Sequence, residues 1–129
     1  MAVLGGSIDR RKFLEYLGAV TVQEASGMYG LIAKLTVVPG GREEMVGILK
    51  ESAADMPGCF SYVVAKDSAD ENAIWVTEVW DSIVSHDASL SLPSVKNAIP
   101  RVKAIVSSFE KIAVTNPVWG VGLPPAHAH

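Results

Sequence analysis

The run Cys59-Phe60-Ser61-Tyr62-Val63-Val64-Ala65-Lys66, the polar segment Asp67–Asn72 and the run Ala73-Ile74-Trp75-Val76-Thr77-Glu78-Val79-Trp80 decide the fold. Both runs are rich in β-branched and aromatic residues, and the segment between them is polar and acidic. They read as two strands joined by a loop. A loop this short implies a hairpin, and hence an antiparallel pair. Side chains alternate along a strand, so Ile74, Val76, Glu78 and Trp80 share one face, while Trp75 and Val79 share the other. Both faces therefore carry apolar groups.

Before the hairpin, Pro57-Gly58 reads as a turn. Arg42–Met56 reads as a helix with Met45, Ile48, Leu49, Ala53 and Met56 on one stripe, and Met28–Val38 as a strand ended by Pro39-Gly40-Gly41. After it, Ile83–Leu92 and Pro93–Ser107 read as helix with breaks. Pro100 costs a helix interior ~3 kcal/mol, which predicts two short helices or one kinked helix. Ser108–Asn116 reads as a last strand.

The order strand, helix, strand, strand, helix, strand predicts an α+β, ferredoxin-like βαββαβ domain. Its four-stranded antiparallel sheet has both helices on one face. We place this domain at residues 27–116. Residues 1–26 form an N-terminal extension, with residues 1–8 small and flexible and 9–25 a short helix. Phe13, Leu14, Leu17 and Val20 fall at helical spacing there, and Ser7 or Asp9 is placed to cap the start. Residues 117–129 form a tail. The helices leave one apolar sheet face uncovered, and a second copy of the chain is the economical cover, giving a homodimer.

The chain has 129 residues and a formal charge of −3, with 49% hydrophobic and 19% charged residues. That balance suits a folded globular chain and argues against nucleic acid, which needs a basic face. Cys59 is the sole cysteine, so no internal disulfide forms. No stretch approaches the ~20 apolar residues of a membrane span. Arg10-Arg11-Lys12-Phe13-Leu14 resembles a twin-arginine export signal. The apolar run after it is broken by Glu15, which favours a terminal helix and a cytoplasmic location over an export remnant.

Thr77-Glu78-Val79-Trp80-Asp81-Ser82, followed by His86, concentrates the candidate chemistry. It sets an acid and an indole on one sheet face, beside the one histidine outside the tail. His86 is a candidate base drawing a proton from a phenolic substrate; its plainer reading is a helix-start histidine bonded to backbone or facing solvent. Glu78 either accepts a hydrogen bond from a substrate hydroxyl or orients His86; structurally, it would instead pair with Arg42, Lys34 or Arg101. Trp80 is a stacking platform for a planar ligand or a core residue. Tyr62 is a phenolic donor to a bound oxygen atom or an ordinary strand tyrosine. Trp75 reads as packing or dimer interface, and Cys59 as a small buried residue. His127 and His129 lie on the tail, where no rigid metal site is expected. No nucleotide, zinc-protease or hydrolase motif occurs.

Val37-Val38-Pro39-Gly40, the Glu-Glu helix after it, Pro57-Gly58-Cys59-Phe60-Ser61-Tyr62, Glu78-Val79-Trp80-Asp81-Ser82 and His86-Asp87-Ala88-Ser89-Leu90 together resemble the antibiotic biosynthesis monooxygenase (ABM) domain over roughly residues 28–115. The resemblance implies a ferredoxin-like protomer that dimerises through its sheets into a dimeric α/β barrel, with a cavity between sheet and helices. Relatives include quinol and polyketide monooxygenases that use dioxygen without metal or flavin. Haem-degrading relatives resemble one another in an asparagine on the first strand, and Met28–Val38 has none.

The leading expectation is a cofactor-independent monooxygenase acting with dioxygen on a small aromatic substrate, an electron-rich hydroquinone or hydroxylated aromatic. Its catalytic residues would be His86 and Glu78, and its substrate-binding residues Trp80 and Tyr62. No metal or cofactor is expected, and no membrane or nucleic-acid partner. A non-catalytic dimeric module for small ligands or assembly is the alternative, and haem breakdown ranks last. An open pocket of a few hundred Å³ around Glu78, Trp80 and His86 would favour the enzyme.

Overall fold

The computed structural model describes residues 6–9 and 27–124. In chain order the elements are β1 (Gly6–Asp9), β2 (Tyr29–Val37), α1 (Arg42–Ser52), β3 (Cys59–Lys66), β4 (Ala73–Trp80), α2 (Ile83–Ser89), α3 (Pro93–Ile105) and β5 (Val106–Thr115). The sheet is antiparallel with spatial order β1-β5-β2-β4-β3. Strands β2 to β5 and the helices give the expected ferredoxin-like βαββαβ domain.

Two differences from the sequence reading concern elements. Residues 6–8 are expected to be flexible and Asp9 to open a helix, yet Gly6–Asp9 adds a fifth strand against β5, with Ile8 opposite Phe109. The strand is held by the partner's ladder rather than by its own composition. Apart from Asp9, which ends β1, the helix expected over 9–25 lies outside the described residues, as do Arg10-Arg11, His127 and His129. In the second half, the helical break falls at Leu90–Leu92, and Pro100 sits inside α3. Proline there removes one helical hydrogen bond, but Pro100 lies on the exposed side while Ala98 and Val102 anchor the helix in the core.

Register explains the layers. On β2 the odd-numbered residues Leu31, Ala33, Leu35 and Val37 are buried. Opposite them on β4 stand Glu78, Val76 and Ile74. This face packs on Met45, Ile48 and Leu49 of α1 and on Ala98 and Val102 of α3. A second, smaller cluster joins Tyr29, Leu31, Trp80 and Ile83, with Met56 and Cys59 against it. In β3 a bulge makes Phe60 an extra residue: Cys59 faces Trp80, Ser61 faces Val79 and Tyr62 faces Glu78.

The other sheet face carries Ile32, Val63, Trp75 and Val79, none of them buried. Val63 is 52% exposed, and beyond β5 Val118 and Trp119 are each 80% exposed. Among the described residues no helix is long and apolar enough to cross a membrane.

The turn before β3 fixes where α2 begins. Gly58 has φ 85°, a conformation that favours glycine. Its carbonyl accepts the Asp81 N–H at 2.8 Å. A Cβ at Gly58 would lie 2.5 Å from Ser85 Oγ and 2.9 Å from Asp81 Oδ1. Ser82 caps α2, accepting the Ser85 N–H at 3.2 Å. Gly58→Ala therefore combines backbone strain with a clash against α2, and we expect it to lower the unfolding free energy by about 1–3 kcal/mol. A urea midpoint within error of wild type would contradict this.

Candidate functional site

A cavity of about 130 Å³ lies between the sheet and the helices, where the two core clusters meet. Its lining is mainly apolar: Leu31, Leu35, Leu49, Val102 and Phe109 are among the wall residues. Tyr62, Glu78, Trp80 and His86 all reach it, together with Ser52 and Ser89. The four residues singled out from sequence thus share one hollow. It is smaller than the few hundred Å³ of a typical small-molecule site. An apolar cavity of about 150 Å³ takes one benzene ring, so one aromatic ring matches this space.

The polar groups are arranged by register and capping. Tyr62 stands directly across the ladder from Glu78, and Glu78 across from Leu31. Trp80 is two residues from Glu78 on the same face, and its Nε1–H donates to Glu78 Oε1 at 2.8 Å. The partners expected for Glu78 are engaged elsewhere. Arg101 pairs with Glu51 at 3.1 Å. Arg42 donates to the carbonyls of Asp67, Asp70 and Ala73, and Lys34 Nζ lies 5.6 Å from the centre of the Trp75 ring. A strand indole, not a cation, satisfies this acid.

His86 is 6% exposed, which excludes the solvent-facing reading. It sits one turn into α2, with its backbone N–H donating to the Ser82 carbonyl at 3.3 Å. Its ring lies 5.0 Å from Tyr29, tilted by 47°, and 5.5 Å from Trp80 in an edge-on arrangement at 87°. Nδ1 is 3.0 Å from Asp87 Oδ1. Asp87 was not singled out from sequence; its adjacency to His86 in the helix was the available signal. The two wall serines are self-satisfied, Ser52 donating to the Leu49 carbonyl at 3.1 Å and Ser89 to the His86 carbonyl at 2.6 Å.

Electrostatics follow from the walls. Burial pushes the Glu78 carboxyl above its ordinary value, partly offset by the Trp80 hydrogen bond and by His86. The Tyr62 hydroxyl is pushed up strongly, first by burial and then by the charges of Glu78 and Cys59. It therefore keeps its proton, and with it the capacity to donate. Burial also raises the Cys59 thiol, helped by Glu78, which makes a reactive thiolate unfavourable. Among the described residues no cluster of three or more His, Cys, Asp or Glu is placed to hold a metal ion.

Trp75 points to the other face. Its Nε1–H donates to Asp67 Oδ2 at 2.7 Å, so it is held by the hairpin loop and takes no part in the cavity. Cys59 packs against the smaller core cluster.

Residues 28–101 match the antibiotic biosynthesis monooxygenase family. A crystal structure named for that family, from Chloroflexus aurantiacus J-10-fl, is 51% identical; the match covers 76% of this chain and all of that one, with a TM-score of 0.73. Another so named, from Caulobacter crescentus CB15, is 22% identical over 73% of this chain and 92% of that one, TM-score 0.66. A third, from Nitrosomonas europaea, is 12% identical over 76% and 97%, TM-score 0.67. The last two show likeness of fold alone. No curated protein matches the chain.

A raised carboxyl has a definite linkage consequence. Between the ordinary carboxylate value of 4.5 and the higher native value, native Glu78 holds a proton that the unfolded chain has released. Stability contributed by Glu78 is thus full below 4.5 and falls as pH rises through that window. We expect Glu78→Gln to remove this component. Urea midpoints of both proteins across a pH series check it; parallel curves would contradict it.

Proposed function

The chain belongs to the antibiotic biosynthesis monooxygenase family, and from that premise we propose that it oxidises a small, uncharged phenol or hydroquinone with dioxygen, without a cofactor. The observation that carries this reading is the cavity: an apolar hollow of one-ring size whose walls bring together an imidazole, a carboxyl and a phenol. Among the described residues the walls include no lysine or arginine, so a carboxylated or phosphorylated ligand would lose its hydration with no fixed cation to replace it.

In this reading the substrate supplies the electrons. His86 removes the hydroxyl proton: the substrate O–H bond breaks and an N–H bond forms on the imidazole. The anion transfers an electron to dioxygen, and the two radicals join at a hydrogen-bearing ring carbon ortho or para to the oxygen. The peroxide takes a proton, the O–O bond breaks, and the ring carbon loses its hydrogen as a proton. One oxygen atom remains as a quinone carbonyl and the other leaves as water. A phenol plus O2 thus gives a quinone plus H2O, and a hydroquinone gives a hydroxyquinone plus H2O. Tyr62, held protonated, donates a hydrogen bond to the substrate or peroxide oxygen. Glu78 accepts from a second hydroxyl or steadies the imidazolium, and Trp80 orients the ring. The apolar walls keep water from the anion.

The small cavity supports a second reading, a binding module without turnover. Oxygen consumption with a panel of uncharged one-ring and two-ring hydroquinones decides between them. General-base removal typically costs ~10²–10⁴-fold, so we expect His86→Ala to lower kcat by at least about a hundredfold, and carboxylated analogues to be poor substrates. Equal background rates for wild type and His86→Ala would leave the binding reading.

The same proposal includes a homodimer formed through the open sheet face, which would cover Ile32, Val63, Trp75 and Val79. Sedimentation at micromolar concentration is expected to give twice the chain mass. Val63→Glu would shift it to the monomer, and a wild type that sediments as a monomer would overturn the assembly.

A further inference from the structure

The proposed proton transfer leaves one question of chemistry. A histidine with two ring nitrogens can present either of them to a substrate, and which one is basic depends on the partner of the other. The described structure fixes that partner. Asp87 Oδ1 lies 3.0 Å from His86 Nδ1, with the two side chains 8% and 31% exposed. The carboxylate is thus the more exposed member of the pair.

The ring has little freedom to turn. Tyr29 and Trp80 flank it at 5.0 and 5.5 Å between ring centres. The titratable groups around it come from three strands and its own helix. Glu78 lies on β4, Tyr62 and Cys59 on β3, Tyr29 on β2 and Asp87 on α2, whereas the α3 wall residues Val95, Ala98, Ile99 and Val102 are all apolar. A carboxylate is an acceptor without a proton to give. It therefore selects the tautomer with hydrogen on Nδ1, leaving the lone pair on Nε2.

We propose that Asp87 is a positioning residue for His86: it holds the Nδ1–H tautomer, makes Nε2 the base, and balances the imidazolium charge after proton uptake. This rests on the reading of His86 as the base. In the step, the substrate O–H breaks and an Nε2–H bond forms, while the Nδ1–H stays on the ring and its hydrogen bond to the Asp87 carboxylate becomes an ion pair. The same Nε2 proton is then available to the peroxide. No proton passes to Asp87.

The experiment reads the tautomer directly. Long-range ¹H–¹⁵N NMR spectra of the ligand-free, ¹⁵N-labelled full chain are recorded where the imidazole is neutral, for wild type, Asp87→Ala and Asp87→Asn. His86→Gln assigns the signals, and urea midpoints confirm that each variant is folded. We expect Nδ1–H in wild type, a shift of Asp87→Ala towards Nε2–H, and retention of Nδ1–H in Asp87→Asn, whose amide oxygen still accepts. With a turned-over hydroquinone, kcat of Asp87→Ala should fall at least about tenfold, a part of the general-base contribution, with KM within twofold and partial rescue in Asp87→Asn. Wild type with hydrogen on Nε2, or an unchanged tautomer in Asp87→Ala, overturns the proposal. If no substrate is turned over by wild type, the oxygenase reading fails, and the NMR result alone decides whether Asp87 sets the ring.

Discussion

A carboxyl group withdrawn from water on the inner face of an apolar sheet is the constraint on which the site depends. Leu31, Val76 and Trp80 surround Glu78 on that face, so any charge there must be satisfied locally or suppressed. The protein does some of both. Trp80 supplies one hydrogen bond, and burial holds the acid towards its neutral form. Tyr62 is drawn into the same balance, because a negative Glu78 opposes loss of its phenolic proton. His86 is the counterweight, since its positive form favours a charged Glu78. The charge on Glu78 is thus tied both to the Tyr62 hydroxyl and to the imidazole beside it.

Much of this was legible in the sequence because strand periodicity is short and strict. The alternation of Ile74, Val76, Glu78 and Trp80 placed the acid and the indole on one face, and the hairpin put Tyr62 on the neighbouring strand; that it stands opposite Glu78 came from the ladder. The stripe Met45, Ile48 and Leu49 gave the helix that closes the core. What escaped the sequence depended on tertiary partners. The four residues of β1 have no strand pattern of their own and exist as a strand through β5. Pro100 argues for a break that packing on either side overrides. The bond between Trp80 and Glu78 was missed because an acid near basic residues reads as an ion pair, and only the structure shows Arg42 and Arg101 committed elsewhere.

The two sheet faces divide the labour between their tryptophans. Trp80 is 1% exposed and spends its N–H on the acid inside. Trp75 spends its N–H on Asp67 in the hairpin loop, whose carboxyl is held down at about 2, chiefly by that bond. Since Trp75 brings its own acceptor, the outer face makes no hydrogen-bonding demand through it on whatever lies against it. What it offers is ring surface with the Lys34 ammonium over it, and Glu110 is the ladder neighbour of Lys34. Such a surface rewards shape complementarity more than matched polar groups.

The bulge at Phe60 bears on how kindred sequences should be aligned. Cys59 and Tyr62 are three apart yet both face inward, because one residue between them is left out of the pairing. Removing that residue would restore a plain alternation and keep the tyrosine opposite the glutamate. A one-position gap there is therefore silent for the chemistry, whereas the same gap after Tyr62 would turn the remaining strand inside out.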